Sequence, residues 1–203
     1  MGRVLGTRAG RRGAALVVAM CTLIVLLLAG ASAARLALQG ELAARNERDR
    51  HIAFHAAEGA LMDAEHDIEG SPGAPGRSAG FAPGSAAGFM AGCGGGGDQR
   101  GLCLSAPIGE PPVWQRVDLS DADEETSKTV PYGYFTGAQM QTGEGFLPFR
   151  RPRYLIELVP DTAAGAAPHY LYRVTAIGFG SRPHTEVVLQ TIYRKHGGSG
   201  AGE

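Results

Sequence analysis

Two cysteines near the middle of this 203-residue chain form its clearest pair of reactive side chains. Cys93 and Cys103 flank a short glycine-rich loop, and no third cysteine or nearby histidine completes a zinc-binding set. A disulfide is therefore favoured over a metal site, provided that the domain lies outside the cytoplasm. Cys21 lies within an apolar run, where we interpret it as a small apolar filler.

Two further groups of side chains could bind a metal, and both fall short of a known pattern. The acidic run Asp118–Glu125 has alternating carboxylates of the kind that bind Ca²⁺, but it lacks the glycine and the terminal glutamate spacing of an EF-hand loop. We favour a solvated acidic loop. His51 and His55 are one helical turn apart, but no carboxylate or third-ligand pattern accompanies them, so we favour a surface pair.

Enzymatic and nucleic-acid functions find little support in the sequence. No nucleophile elbow, P-loop or dinucleotide fingerprint is present, and the glycine run after Cys93 is not followed by Lys-Ser or Lys-Thr. We therefore expect no enzymatic activity, no metal and no cofactor. The basic stretch Phe149–Arg153 could contact DNA, but the formal net charge of −1 provides no general attraction, and we interpret it as a surface patch at a strand entry.

A long apolar run near the N-terminus decides how the rest of the chain is interpreted. Gly13–Ala34 contains no charged residue, and a helix of this length extends about 33 Å, enough to cross a bilayer core. Four arginines and no acidic residue precede it, which orients the N-terminus towards the cytoplasm. The small residues Ala31–Ala34 resemble a signal-peptidase site, so cleavage of an ordinary signal peptide remains an alternative.

The segment that follows predicts that the apolar run continues as one long helix. Arg35–Glu69 has no proline, is rich in helix-forming residues, and repeats apolar residues three or four apart beyond Phe54. We expect a single helix from about Ala14 to Glu69, about 80 Å long, ended by the proline- and glycine-rich Gly70–Gly76. A small domain cannot bury a helix of that length, so its first half must face lipid or other subunits, as in a pilin.

Three alternating segments predict a sheet for this helix to pack on. Arg153–Val159 is one strand, and Tyr170–Lys195 is an antiparallel hairpin. Pro112–Leu119 is a weaker strand candidate. The fold class is therefore α+β: a long N-terminal helix packed on a small antiparallel sheet of three to five strands, pilin-like. The helix residues expected against this sheet are Phe54, Leu61 and Ile68.

These elements divide the chain into six parts. They are a leader 1–13, a transmembrane and assembly half-helix 14–34, an amphipathic half-helix 35–69, a loop with the disulfide 70–111, a sheet domain 112–196 and a disordered tail 197–203.

The N-terminal stretch RRGAALVVAM resembles the class III leader of type IV pilins, which implies cleavage between Gly13 and Ala14 by a prepilin peptidase. Arg48–Glu65 resembles a segment typical of the minor pilin family PilX. Further stretches resemble the rest of PilX proteins, namely GLC (Gly101–Cys103) with Trp114, PRYLIEL (Pro152–Leu158), YRVTAIGFG (Tyr172–Gly180) and TEVVLQTIYRK (Thr185–Lys195). The resemblance covers nearly the whole chain, with gaps at 70–91 and 118–149.

One departure from major pilins is informative. Major pilins carry a glutamate at the fifth mature position, where it helps to pair with a neighbouring subunit's N-terminus, and here that position is Val18. Its absence is typical of PilX and of the type II secretion tip pseudopilin, which implies a tip or initiating subunit. The alternative is that Val18 is lipid-facing filler. The mature chain begins with Ala14 where major pilins have Phe, which leaves N-methylation open.

The resemblance implies a minor pilin that primes type IV pilus assembly and lies at or near the tip. Its implied partners are the prepilin peptidase, other minor pilins, the major pilin, a tip adhesin and inner-membrane lipid, with no nucleic acid. The precursor would span the inner membrane once, with a cytoplasmic N-terminus and a periplasmic domain, and would reach the cell surface in the pilus. The alternatives are a type II secretion tip pseudopilin, which usually carries a larger inserted domain, and a single-pass periplasmic binding or sensor protein.

Overall fold

The computed structural model describes residues 11–72, 76–82, 84–123, 125–161 and 169–195, with side chains from residue 14 onwards. Most of the predicted leader and the whole predicted tail lie outside these residues. The helix α1 spans Arg11–Glu69, and the predicted long helix is therefore confirmed. Gly70 follows its last residue, adopts a φ of 100° and donates its N–H to the His66 carbonyl at 2.8 Å. Glycine takes this left-handed conformation without steric cost, so it suits a helix C-terminus.

The chain divides into two compact units, Met1–Glu47 and Arg48–Glu203. In the first unit, every described side chain from Ala14 onwards is exposed. The second unit contains the last part of α1, all the strands and the hydrophobic core.

Five strands form one mixed sheet in the second unit. They are β1 (Leu102–Leu104), β2 (Val130–Pro131), β3 (Arg153–Pro160), β4 (Tyr170–Phe179) and β5 (Glu186–Tyr193). Their order is β1-β3-β4-β5, and β2 also pairs with β3. The predicted hairpin is confirmed, since β4 and β5 pair antiparallel from Tyr172↔Tyr193 to Phe179↔Glu186 without interruption. The sheet is not purely antiparallel, because β1 runs parallel to β3.

The central strands β3 and β4 are packed on both faces, which produces two apolar clusters. Alternate residues of β3 and β4 pack on the helix side with Ala60, Ala64 and Ile68; they are Tyr154, Ile156, Leu158, Tyr172, Val174 and Ala176. The opposite face packs beneath loops through Leu155, Ile177, Phe179, Cys93, Cys103, Val113 and Leu119. The predicted strand in Pro112–Leu119 is wrong: Val113–Gln115 is a short 3₁₀ turn that lies over this second face.

The helix contacts the sheet mainly through alanines. Ile68 is buried and Leu61 is half-buried as expected, but Phe54 is 38% exposed, so that part of the prediction is wrong. The reason lies at Gly178 of β4. A Cβ placed there would lie 2.1 Å from the carbonyl oxygen of Ala53 and 2.3 Å from the nitrogen of Ala57. Backbones that approach so closely leave room only for the small side chains of Ala53 and Ala57 on the contacting face, and Phe54 lies outside this contact and remains exposed.

Candidate assembly helix and its domain anchors

The first part of α1 carries the predicted leader junction and the predicted assembly position. Gly13 and Ala14 lie in the first turn of the helix as observed, and Val18 follows one turn later. Val18 is 62% exposed in this chain, and its apolar neighbours are exposed to a similar extent. None of the residues that the structure describes packs over Val18 closely enough to bury it.

This half-helix suits an apolar environment. By length and composition α1 can cross a membrane, and none of its most apolar window is buried within the chain. Its two hydroxyl side chains bond within the helix: Thr22 donates to the Ala19 carbonyl at 2.9 Å, and Ser32 donates to the Leu28 carbonyl at 2.8 Å. Polar groups that are satisfied inside the helix carry little cost in lipid.

Three buried aspartates on the last part of α1 tie it to loops of the sheet domain, and the first is Asp49. Its carboxylate accepts hydrogen bonds from the Ser181 N–H at 2.6 Å, the Ser181 hydroxyl at 2.7 Å and the Thr185 hydroxyl at 2.5 Å. Burial disfavours the charged form, but these hydrogen bonds outweigh it and lower the pKa of Asp49 below its usual value. Asp49 thus fastens the helix to the β4–β5 turn.

The second anchor is Asp63, which lies further along α1 and is also buried. It accepts hydrogen bonds from the Gly133 N–H at 2.7 Å and from the Thr136 hydroxyl. Burial raises the pKa of Asp63 despite these two hydrogen bonds, and the nearby carboxylate of Asp67 raises it further. Asp63 therefore holds the loop after β2 at an electrostatic cost.

The third anchor is Asp67, which binds a buried arginine. Arg77 donates to the Asp67 carboxylate at 2.7 Å and 3.1 Å, and Tyr154 of β3 donates its hydroxyl at 2.9 Å. Both members of this ion pair are almost completely buried. Burial and the carboxylates of Asp67 and Asp63 raise the pKa of Tyr154 well above its ordinary value, so it stays a hydrogen-bond donor.

Arg77 also connects this anchor to the disulfide loop. It donates to the carbonyl oxygens of Asp98 at 2.7 Å and Arg100 at 2.5 Å, and its guanidinium lies 3.8 Å from the ring centroid of Phe135. A chain of contacts therefore runs from the helix through Arg77 to the loop. The aspartates share a helix face with the buried alanines, and that stripe of small and acidic residues is the sequence signal that could have revealed them. None of the three aspartates was predicted from the sequence.

The disulfide predicted between Cys93 and Cys103 is present, with an S–S distance of 2.03 Å. Two backbone hydrogen bonds close the same loop: Gly94 donates to the Leu102 carbonyl at 3.1 Å, and Gly101 donates to the Gly94 carbonyl at 3.0 Å. Because Cys103 lies in β1, the bond fastens the glycine-rich loop directly to the sheet.

The acidic run uses its carboxylates to shape its own turns. Asp118 accepts from the Ser120 N–H at 2.9 Å, Asp121 from the Asp123 N–H at 3.0 Å, and Asp123 from the Glu125 N–H at 2.8 Å. Within the residues that the structure describes, no three His, Cys, Asp or Glu side chains converge as metal ligands.

The histidine pair is a surface feature of the helix. The rings of His51 and His55 stack with centroids 6.4 Å apart, and both residues are exposed. Contrary to expectation a carboxylate does accompany them, because Glu58 lies 2.9 Å from the Nδ1 atom of His55.

The basic stretch Phe149–Arg153 serves the fold. Arg153 is buried and donates to the hydroxyls of Thr129 at 2.6 Å and Ser127 at 2.8 Å. The guanidinium of Arg150 lies 3.9 Å from the ring centroid of Phe179. Within this stretch Arg151 is the exposed arginine, so the cluster does not form a continuous basic surface.

An open groove of about 520 Å³ lies between α1 and the loop before β3. Its mainly apolar lining includes Ile52, Ala56, Met140 and Phe146, and His55 is the one titratable group among its lining residues. Such a lining can receive an apolar side chain but offers no set of groups for general acid–base or nucleophilic catalysis.

The fold and the exposed helix together define the class of protein. A continuous helix begins with an exposed membrane-length apolar half and ends packed on a small, disulfide-fastened sheet domain. This architecture is pilin-like, and among the described residues one helix has the length and composition needed to anchor the chain in a membrane.

Comparison with known families identifies the chain more closely. Residues 12–61 match the model for the PilX N-terminal region, and residues 99–195 match the model described as type IV pilus assembly protein PilX C-term. The two matches do not overlap and together span most of the chain, which belongs to the PilX family of type IV pilus assembly proteins. No curated protein and no solved structure matches it significantly. Family membership implies a structural role and interaction with other components of the pilus.

Proposed function

We propose that this PilX-family protein is a minor pilin that primes type IV pilus assembly and resides at or near the pilus tip. The observation that carries the proposal is the exposed apolar half of α1, which has no packing partner in its own unit among the described residues. A helix of this kind can leave lipid only if other apolar helices replace the lipid. Its role is therefore to pack sideways against the helices of other subunits.

The position in the filament is inferred from Val18. A carboxylate inside the membrane is costly unless it is paired, and pilins that repeat along the filament use that pairing to dock on a neighbour. Val18 carries neither the cost nor the docking contact, which favours a subunit that starts or caps the filament. The expected partners are other minor pilins, the major pilin and a tip adhesin.

The orientation follows from charge and redox chemistry. Arginines precede the apolar run without acidic residues, which favours a cytoplasmic N-terminus in the inner membrane. The Cys93–Cys103 disulfide suits an oxidising compartment, which favours a periplasmic sheet domain before assembly. The leader would be removed on the cytoplasmic side, between Gly13 and Ala14.

Leader processing provides the first test. We expect Gly13→Val to block cleavage and to leave a precursor about 1.3 kDa heavier than the mature protein, in proportion to 21.1 kDa for the whole chain. Gly10→Val is the matched control, because it changes a leader glycine away from the junction and should be processed normally. Mass spectrometry of the N-terminus, with and without the prepilin peptidase, measures both. A mature chain that begins near Ala34 would contradict the proposal.

The priming role needs a separate measurement. Deletion of the gene should reduce the number of surface pili while the cellular pool of the major pilin remains. Unchanged piliation would refute the priming role, whatever the result at Gly13.

A further inference from the structure

The strand β5 forms an edge of the sheet that lacks the usual protection. No strand pairs with its outer edge in the described parts of the chain, and it extends over eight residues, Glu186–Tyr193. Native edge strands are normally guarded by proline, charged side chains, a bulge, a short length or a covering segment. β5 has no proline, its pairing with β4 is uninterrupted, and charged residues lie only at its ends, at Glu186 and at Arg194 and Lys195 just beyond it. At the other edge β1 has three residues, and Met90 bridges to it.

The side chains on the outward face of β5 are also uncovered. Residues that alternate along this face are exposed, and they include Val188 at 43% and Ile192 at 63%. Exposed apolar residues on a bare edge favour pairing with another strand.

We propose that β5 pairs antiparallel with β5 of a second copy of this chain, in a register centred on Gln190. The outward face has the order Glu186, Val188, Gln190, Ile192, Arg194. In this register Glu186 lies opposite Arg194 and Val188 lies opposite Ile192, each twice, and Gln190 faces its own copy. On the helix side Val187 lies opposite Tyr193, and Leu189 lies opposite Thr191. The pairs on the outward face are complementary in charge or polarity, as cross-strand pairs prefer, and Leu189 with Thr191 is a mixed pair on the helix side.

The charged ends of this stripe are accessible in the single chain. Glu186 is 40% exposed and lies 3.9 Å from Arg150, and Arg194 is 67% exposed and bonds Asp161 at 2.7 Å. Because the side chains of Glu186 and Arg194 are themselves exposed, each charge can also interact with the second copy.

A two-fold axis normal to the sheet would relate the two copies. The part of α1 that packs on the sheet would then lie on the same face in both copies and run in opposite directions. The test uses the full chain in detergent micelles.

Cross-linking at the centre of the register tests the pairing. Directly opposite residues of antiparallel strands have Cα atoms about 4.5–5.5 Å apart, within the range of a disulfide. In a Cys21→Ser background, Gln190→Cys should give a disulfide-linked dimer after mild oxidation, visible on a non-reducing gel. Gln141→Cys is the matched control at an exposed site away from β5 and should remain monomeric. Equal cross-linking of the two variants, or none at position 190, would overturn the proposal.

Charge reversal tests the register independently. Arg194→Glu places like charges opposite each other at both ends of the pairing and should weaken dimerisation about tenfold or more, measured by analytical ultracentrifugation. Glu186→Arg should do the same, and the double variant should restore the dimer. A folding defect would not be repaired by combining the two changes. If the double variant remains as weak as either single variant, the register is wrong.

Discussion

At the scale of single residues, the most informative group is the buried ion pair between Asp67 and Arg77. A buried ion pair adds little net stability compared with an apolar pair, but removal of one partner leaves an uncompensated charge. Here that charge would be the Arg77 guanidinium, which is held among Phe135, the disulfide loop and the helix. The pair therefore fixes the relative positions of these three parts more than it adds net stability compared with an apolar pair.

Replacement of Asp67 should be severe for this reason. We expect Asp67→Asn to lower the free energy of unfolding by about 3–5 kcal/mol, measured by chemical denaturation of the full chain in detergent. Glu58→Gln is the control, because Glu58 makes an exposed contact with His55, and exposed pairs contribute about 0–1 kcal/mol. Equal losses in the two variants would show that Asp67 is not an anchor.

The two other anchors predict opposite effects of pH. The folded-state pKa of Asp49 is lowered, so its contribution is present above the unfolded pKa of about 3.9 and is lost as pH falls through the lower folded value. The folded-state pKa of Asp63 is raised, so its contribution is present at low pH and is lost as pH rises from the unfolded value through the folded value.

The opposite pH dependences of the Asp49 and Asp63 contributions to stability can be separated by mutation. Asp49→Asn should remove part of the loss of stability below about pH 4, and Asp63→Asn should remove an opposing slope above that pH. The measurement is the denaturation midpoint of each variant from low to neutral pH. Parallel profiles for both variants and the unmodified protein would contradict the assignment.

At the scale of elements, the closest contact is that between α1 and β4 at Gly178. Gly178→Ala would force backbone atoms of Ala53 and Ala57 away, because these atoms lie on a helix and cannot rotate aside. We expect a loss of at least about 1–3 kcal/mol, the usual cost of overpacking, seen as a lower melting temperature. Gly76→Ala is the matched control, since a Cβ there meets nothing within 4 Å. A neutral Gly178→Ala would mean that the helix packs less closely than described.

The elements that could be predicted from the sequence are those with long, regular patterns. The helix and the β4–β5 hairpin each repeat their apolar residues over enough positions to define a face. β1 and β2 have three and two residues, too few to show alternation, and their pairing depends on distant partners in β3. Val113 forms a turn because its N–H bonds the buried Glu157 at 3.2 Å, a contact that spans 44 residues and leaves no local signal.

The anchors were missed for a related reason. Helical charges such as Glu41 and Arg45 do form the exposed i,i+4 pair that their spacing predicts. Asp49 lies four residues beyond Arg45 but points into the domain, because Ser181 and Thr185 supply hydrogen-bond donors there. Spacing along a helix identifies which residues share a face, whereas the donors that make a buried carboxylate tolerable come from elsewhere in the chain.

At the scale of the whole molecule, the two units have different sources of stability. The described side chains up to Arg48 are exposed and make no core, so the order of that half-helix comes from helical hydrogen bonds and its surroundings. The second unit contains both apolar clusters, the disulfide and all three aspartate anchors. Folding of the sheet domain should therefore not require the half that assembles.

This separation gives the last prediction. A fragment 48–203, exported to the periplasm, should form the Cys93–Cys103 disulfide and unfold cooperatively with a melting temperature close to that of the full chain. A fragment 58–203 is the control, because it removes Asp49 and the alanines that contact β4, and it should melt at a clearly lower temperature. Circular dichroism measures both. If 48–203 fails to fold while the full chain is stable, the apolar half of α1 contributes to the stability of the sheet domain, and the two units do not fold independently.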